Sequence, residues 1–184
     1  MKKSKILIVV DVQRDFINGS LSNVEAQKAV PNIVKKINDF DGDYILITRD
    51  THNEDYLETN EGKCLPVKHC IKNTVGWGED SRIANVLMDK DIKEKHIIQY
   101  FEKPTFGSEK LMQYVKNIKG ELDIEIIGFV SSICVITNAL LIKTAVYDRA
   151  NITVDASCTA GLTYDNNLAA LEVLKSCQIN VINA

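Results

Sequence analysis

Short apolar runs and helical periodicity alternate along the chain. Apolar runs rich in β-branched residues are typical of strands buried on both faces of a sheet, and six segments fit: 6–10, 44–48, 96–100, 124–127, 152–155 and 179–182. Apolar residues recur at helical spacing over 24–40, 82–88, 108–118, 133–145 and 166–177. This alternation predicts an α/β fold with a six-stranded, mainly parallel sheet and helices on both faces.

Segment 53–77 breaks the alternation. It shows no sustained period, and structureless loops of that length are uncommon unless they serve a function. We therefore expect it to be a long excursion that closes over the site. The total of 184 residues and the absence of a linker or repeat predict one domain over 1–184.

Composition excludes several classes of partner. A net charge of −3 gives no reason to expect a nucleic-acid partner. No apolar run is long enough to span a bilayer, and the basic, apolar start reads as a first strand rather than a signal peptide. The five cysteines form no CxxC pair, which favours a reducing, cytoplasmic location over a disulfide scaffold.

Chemically versatile residues follow the ends of several predicted strands. Asp11 follows the first, Asp50 and His52 the second, Lys103 the third, and the turn 128–134 the fourth. In parallel sheets, ligands bind outside the carboxyl ends of the strands. The sequence therefore predicts a functional site at this edge.

Asp11, Lys103 and Cys134 form the first candidate constellation. A thiol that attacks an amide needs a neighbouring base, and a carboxylate held by an ammonium group can serve. Cys134 falls where strand periodicity changes to helical, and a helix amino end lowers a thiol pKa. Taken singly, Asp11 also fits a turn cap, Lys103 a solvated lysine and Cys134 a core residue; together at one edge they favour chemistry.

Asp50, His52 and His69 form the second constellation. A carboxylate and two imidazoles suit Zn²⁺, Mn²⁺ or Fe²⁺, and three protein ligands leave positions open for water or substrate. Asp50 and His52 are two residues apart in an extended segment and can face the same way. The alternative is that Asp50 starts a turn and both histidines are surface residues.

Other residues near these positions allow more than one interpretation. Phe16 either stacks on a flat substrate ring or packs its loop against the core. Cys64, His69 and Cys70 offer a weaker, structural zinc site, because their spacing fits no common zinc motif. His96 opens an apolar strand and reads as structural.

The motifs, taken together, resemble a known family. Five of them occur in the order found in the isochorismatase-like cysteine hydrolases: D-V-Q-R-D-F at 11–16, T-R-D-x-H at 48–52, P-x-x-H-C-I-x-x-T-x-G at 66–76, F-E-K-P-T-F at 101–106 and G-F-V-S-S-I-C-V at 128–135. The resemblance spans nearly the whole chain. It implies a three-layer, Rossmann-like fold and a catalytic triad of Asp11, Lys103 and Cys134.

The resemblance also implies details of the nucleophile turn. A cis peptide is expected between Phe129 and Val130. The backbone amides of Val130 and Cys134 are then expected to form the oxyanion hole.

Within the family, the metal ligands point to the nicotinamidases. Nicotinamidases carry a D-x-H…H set of metal ligands, and Asp50, His52 and His69 match it. The resemblance therefore implies a bound metal ion, zinc first, with manganese or iron as alternatives. Nicotinamidases typically place a Trp-Pro pair before the second histidine to line the substrate pocket; Leu65 stands here in place of that Trp. Some members add a glutamate ligand, and Glu61 lies near that position.

The resulting hypothesis is a metal-dependent amidohydrolase that cleaves nicotinamide or a similar small carboxamide to the acid and ammonia. The alternatives are a family hydrolase acting on a ureido or carbamoyl compound, a metal-free vinyl-ether hydrolase of the isochorismatase type, and a non-catalytic binding domain. By analogy with relatives, the chain is expected to form a homo-oligomer.

Overall fold

The computed structural model describes residues 3–93 and 95–184. A six-stranded sheet lies at its centre, with strands β1 Ser4–Val10, β2 Tyr44–Asp50, β3 Ile97–Lys103, β4 Leu122–Phe129, β5 Ala150–Ala160 and β6 Asn180–Ile182. The spatial order is β3-β2-β1-β4-β5-β6, and every neighbouring pair is parallel. The predicted α/β class is confirmed.

Helices cover both faces of this sheet, as predicted. They are α1 Arg14–Ile17, α2 Val24–Asp39, α3 Asn60–Cys64, α4 Ser81–Ile92, α5 Glu109–Asn117, α6 Ile136–Val146 and α7 Tyr164–Ser176. Helices α2 and α4 pack on one face and α5, α6 and α7 on the other. Within the described ranges, no helix has both the length and the apolar character needed to cross a bilayer.

Two hydrophobic clusters, one on each face, hold the layers together. Alternate residues of β1 supply them: Ile6, Ile8 and Val10 face α5, α6 and α7, whereas Leu7 and Val9 face α2 and α4. All five side chains are at most 1% exposed. This double burial explains why β1 is a continuous apolar run rather than an alternating pattern.

Polar residues fix where the helices start. The side chain of Asn23 accepts hydrogen bonds from two amides at the start of α2. Asp80, Ser108 and Thr163 cap α4, α5 and α7 in the same way. Such caps satisfy amides that have no partner within the helix, so the loops that leave the carboxyl edge end at defined residues.

Several boundaries differ from the sequence prediction. Strands β2 and β3 extend to Asp50 and Lys103, so both side chains lie at the last residue of a strand rather than beyond it. Strand β5 continues to Ala160 across a register shift, which its small and polar residues did not reveal. Segment 53–77 contains a 3₁₀ turn at Tyr56–Glu58 and helix α3, too short to give a periodic signal.

Gly128 allows β1 and β4 to approach closely at their carboxyl ends. Its φ angle is +112°, in the region that glycine tolerates and other residues avoid. A Cβ atom at this position would lie 2.0 Å from the carbonyl oxygen of Val10. Because Asp11 follows Val10, this contact brings the end of β1 beside the turn that carries Cys134.

We predict that Gly128→Ala lowers the free energy of unfolding by about 3 kcal/mol or more, because the new methyl group meets backbone atoms in a strained conformation. Gly78→Ala is the matched control, since a Cβ atom there meets its nearest neighbour at 3.5 Å. Denaturant unfolding of both variants checks this. Equal stability of the two variants would contradict the close approach.

Candidate active site

Asp11, Lys103 and Cys134 meet at the carboxyl edge of the sheet. The Nζ atom of Lys103 lies 2.7 Å from Oδ2 of Asp11 and 3.5 Å from Sγ of Cys134. The three side chains are 0%, 1% and 6% exposed for Asp11, Lys103 and Cys134. The three predicted triad residues are therefore in contact in a buried cluster.

Neighbouring strands hold Asp11 in place. Its φ angle is +47°, so the chain turns sharply as it leaves β1. The hydroxyl of Thr48, near the end of β2, donates to Oδ1 of Asp11 at 2.7 Å, and the amide of Asp11 donates back to the backbone oxygen of Thr48 at 3.2 Å. These bonds leave Oδ2 directed at Lys103.

Cys134 lies in a π-helical turn, Ser131–Val135, that continues into α6. The carbonyl of Val130 accepts hydrogen bonds from the amides of Ile133 and Val135, both at 3.1 Å. The peptide bond between Phe129 and Val130 is cis, as the family resemblance implied. The turn thus places the thiol directly after β4, beside β1.

Burial controls the charges of the triad. Burial raises the pKa of Asp11, and the Lys103 ammonium only partly opposes this. Burial likewise raises the pKa of the Cys134 thiol, helped by the Asp11 carboxylate and opposed by Lys103. Burial alone would lower the pKa of Lys103, but the surrounding anionic groups raise it, so Lys103 stays cationic. The expectation of a lowered thiol pKa was wrong, because desolvation outweighs the helix end.

Asp50, His52 and His69 also come together, beside the first cluster, since Asp50 contacts Lys103. Their potential ligand atoms all lie within 4.8 Å of one another, and all three residues are buried. Oδ2 of Asp50 lies 3.0 Å from Nε2 of His52 and 3.4 Å from Nε2 of His69. The three residues thus present one oxygen and two nitrogen atoms to a common point.

The donor set fits a divalent metal ion. Nδ1 of His69 lies 2.8 Å from the carbonyl oxygen of Val67, which makes it the donor and leaves Nε2 free as a ligand, an arrangement common at metal-binding histidines. Two nitrogens and a carboxylate suit zinc and the other metals named above. Tyr56 packs its ring against both histidines, at 4.6 and 4.9 Å between ring centroids.

Glu61 faces the same cluster from α3. Its Oε1 lies 3.7 Å from Nε2 of His52 and 4.0 Å from Nε2 of His69. Burial and the nearby Asp50 carboxylate raise its pKa. The sequence left this residue open as a further ligand, and the structure places it beside the donor set.

One carboxylate joins the two constellations. While Oδ2 of Asp50 faces the histidines, its Oδ1 lies 3.3 Å from Nζ of Lys103. Burial alone would raise the pKa of Asp50, but the adjacent His52 and His69 side chains and the Lys103 charge lower it. Asp50 therefore stays ionised between the candidate metal site and the triad.

The remaining sequence candidates have different surroundings. The Phe16 ring packs edge-on against His69 at 5.8 Å and is 8% exposed. Leu65 is 39% exposed at the end of α3, where its carbonyl accepts from the Tyr56 hydroxyl at 3.0 Å. His96 is buried, and its Nδ1 lies 2.8 Å from the Gly42 carbonyl oxygen, consistent with a structural role.

The alternative zinc site does not assemble. Among the described residues, the only group of three or more potential ligands within reach of one ion is Asp50, His52 and His69. Cys64 is exposed and Cys70 is buried. The amide of Cys70 donates to Oδ2 of Asp15 at 2.7 Å. This bond holds the later part of segment 53–77 against helix α1.

Gln13 is a positioning residue that the sequence analysis missed. Its side-chain amide nitrogen donates to the carbonyls of Asp50, at 2.8 Å, and Trp77, at 2.9 Å. Its side-chain oxygen accepts from the Asp50 amide at 2.8 Å. Gln13 is fully buried and joins the end of β2 to the end of the excursion. The sequence signal that could have identified Gln13 is its position between Asp11 and Asp15, directly after the first strand.

Comparison with solved structures agrees with the fold. The solved nicotinamidase/pyrazinamidase PncA from Bacillus subtilis superposes with a TM-score of 0.79 at 23% identity, covering 97% of this chain and 98% of that chain. A pyrazinamidase/nicotinamidase from Streptococcus mutans gives 0.79 at 25% identity, with 97% and 100% coverage. A pyrazinamidase from Pyrococcus horikoshii, solved in complex with zinc, gives 0.76 at 25% identity, with 98% and 99% coverage.

Sequence comparison defines the family. No curated protein matches the chain significantly. The isochorismatase domain, in contrast, matches residues 5–184. The match includes the strand ends and the turn that carry Asp11, Lys103 and Cys134. This chain belongs to the isochorismatase family.

Proposed function

We propose that this protein is a metal-dependent cysteine amidohydrolase that cleaves nicotinamide, or a similar small carboxamide, to the acid and ammonia. The observation that carries the proposal is the junction at Asp50, whose two oxygens contact Lys103 of the triad and the histidines of the candidate metal site. Because Asp50 contacts both the triad lysine and the ligand set, the two groups are close enough for one small substrate to contact both.

Asp11 acts as the base that activates Cys134. In the resting site the thiol keeps its proton, because burial and Asp11 raise its pKa. As the sulfur attacks the amide carbon, the S–H proton passes to the Asp11 carboxylate and a C–S bond forms. The Lys103 ammonium, 3.5 Å from the sulfur, stabilises the negative charge that develops there.

The tetrahedral intermediate collapses with loss of ammonia. The backbone amides of Val130 and Cys134 hold the oxyanion, as in the mechanism that the resemblance implies. The proton on Asp11 passes to the leaving nitrogen as the C–N bond breaks, which leaves a thioester on Cys134. Asp11, again a carboxylate, takes a proton from water as the water oxygen attacks the thioester carbon. The C–S bond then breaks, and Asp11 returns the proton to the sulfur, which releases the acid and restores the thiol.

Asp50, His52 and His69 would hold the metal ion, with Glu61 beside them. A bound ion would supply Lewis acidity toward the ring nitrogen of the substrate and would thereby help to orient the carboxamide. Zinc is the first choice, and the zinc complex of the Pyrococcus horikoshii pyrazinamidase supports it. Phe16 lies against His69, where it can contact a flat ring bound there.

A ureido or carbamoyl compound is the second candidate substrate. Leu65 stands where nicotinamidases typically carry a tryptophan, and it is 39% exposed. A leucine lacks the aromatic face that stacks on a heteroaromatic ring. The same triad chemistry would then act on a substrate that has no ring.

The proposal places the protein in the reducing cytoplasm. All five cysteines are free, which supports that location. Assembly into a homo-oligomer stays a prediction from the resemblance.

Ammonia release from nicotinamide tests the proposal directly. The purified protein is stripped of metal with a chelator, then assayed alone and with added Zn²⁺ or Mn²⁺. We expect release that depends on metal, since the substrate ring needs the ion for its orientation. Turnover of a ureido compound but not of nicotinamide would select the second candidate. Equal turnover of nicotinamide by stripped and loaded protein would contradict the role of the metal.

A further inference from the structure

Asn138, in the first turn of α6, joins two parts of the site. Its side-chain nitrogen donates to the carbonyl of Cys134 at 2.8 Å and to that of Phe106 at 3.2 Å. Its side-chain oxygen accepts from the amide of Ser108 at 2.9 Å. Asn138 is 1% exposed. Its bonds to the Cys134 carbonyl and the Ser108 amide are buried, and its bond to the Phe106 carbonyl is partly buried. This orientation of the amide group is the one that satisfies two carbonyls and one N–H.

The loop that Asn138 contacts also holds the triad lysine. Residues 104–108 connect Lys103, at the end of β3, to helix α5. The carbonyl of Thr105 in this loop accepts from Nζ of Lys103 at 3.0 Å. Thr105 directly precedes Phe106, which Asn138 binds. The position of the Lys103 ammonium therefore depends on where this loop lies.

The loop lies close against α6 around Asn138. Gly107 stands between the two residues that Asn138 binds, Phe106 and Ser108. A Cβ atom on Gly107 would lie 2.6 Å from the side chain of Leu141 and 2.8 Å from that of Thr137. The side-chain amide of Asn138 thus bonds backbone groups on both sides of Gly107, the Phe106 carbonyl and the Ser108 N–H.

We propose that Asn138 is a positioning residue that sets the contact between Lys103 and Cys134, by tying the loop that holds the lysine to the backbone of the nucleophile. The inference rests on the proposed role of the triad. It assigns to Asn138 no contact with substrate. Its effect passes through the Thr105 carbonyl to the ammonium, and from the ammonium to the sulfur.

Asn138→Thr tests the bonds to the loop separately from the bond to the Cys134 carbonyl. A threonine in this helix can bond the carbonyl four residues before it, as Thr137 does with Ile133 at 2.6 Å. Its short side chain keeps a partner for the Cys134 carbonyl but does not replace the bonds to Phe106 and Ser108. Asn138→Ser is the smaller second variant. Thr137→Val is the matched control, since it removes a similar helix bond and leaves the loop's polar contacts intact.

The measurement is the rate at which iodoacetamide alkylates Cys134, followed by mass spectrometry of its peptide across a range of pH. The charged groups facing the thiol are Asp11, Lys103 and, beyond the lysine, Asp50. A loosened ammonium stabilises the thiolate less, so we expect Asn138→Thr to slow alkylation about tenfold near neutral pH. We also expect its pH dependence to move to higher pH, with Thr137→Val within about twofold of the wild type.

Each outcome has a definite meaning. Thermal unfolding shows whether the variants fold. If one of the two Asn138 variants does not fold, the alkylation rate of the other tests the proposal. Wild-type rates in a folded Asn138 variant, or the same slowing in Thr137→Val, would overturn the proposal, as would failure of both Asn138 variants to fold. An unreactive Cys134 in the wild type would instead remove the proposed nucleophile. Slowed alkylation supports the positioning role whichever amide is hydrolysed.

Discussion

Replacing Cys134 with alanine is expected to lower turnover by about 10⁴-fold or more while leaving the metal content unchanged. The alanine keeps the turn but has no atom to form the thioester. The metal content should persist because Asp50, rather than Cys134, contacts the histidines. Initial rates of ammonia release and metal analysis of the same preparation measure both effects.

Cys158→Ala is the control for this experiment. Cys158 is also a buried free cysteine, and burial raises its pKa to about 11. It lies on β5 and packs with the helices on the other face of the sheet from Cys134. We expect its removal to change turnover by less than about twofold. Substantial activity in Cys134→Ala would show that another group is the nucleophile.

The meeting of the three candidate triad residues was predictable because parallel sheets align their strand ends. Apolar runs mark β1, β3 and β4, so the residues that follow them share one edge. Asp11, Lys103 and Cys134 were identified in this way, and the structure brings them into contact. The sequence pattern predicted that these residues lie at the carboxyl edge of the sheet, but it did not predict their pKa values. The raised pKa of Cys134 depends on burial by residues distant in sequence.

The excursion illustrates what the sequence alone does not provide. Tyr56 and Glu61 face the histidines from two short helical elements, and neither element is long enough to show periodicity. Their placement depends on long-range contacts, such as the bond between Asp15 and the Cys70 amide. Such contacts leave no periodic trace. The length of the segment and the motif around His69 identified it as functional, but the positions of its short helical elements were not predicted.

Asn138 was missed for a related reason. It lies on a helix whose period was identified correctly, but a polar residue within an apolar helix does not reveal its partners. Two of these partners, Phe106 and Ser108, lie 30 or more residues earlier in the chain. The sequence therefore predicts the residues that can do chemistry better than those that hold them in place.

His69→Ala is expected to remove the metal and, with it, most of the activity. His69 lies in the excursion. Its loss leaves Asp50 and His52, at and just after the end of β2, with Glu61 beside them. Loss of one of three protein ligands should weaken binding by about 100-fold or more. Metal content after dialysis measures this effect without relying on turnover.

His96→Gln is the matched control for the loss of a histidine. The chain has three histidines, and His96 lies at the opposite edge of the sheet, before β3, within hydrogen-bond distance of the Gly42 carbonyl. A glutamine can donate to the same carbonyl, so metal content and turnover should stay near wild type. Cobalt absorption of the substituted protein, which reports nitrogen and oxygen ligation, should vanish in His69→Ala and persist in His96→Gln. Full metal content in His69→Ala would refute the assigned ligand set, and the triad would then have to act without it.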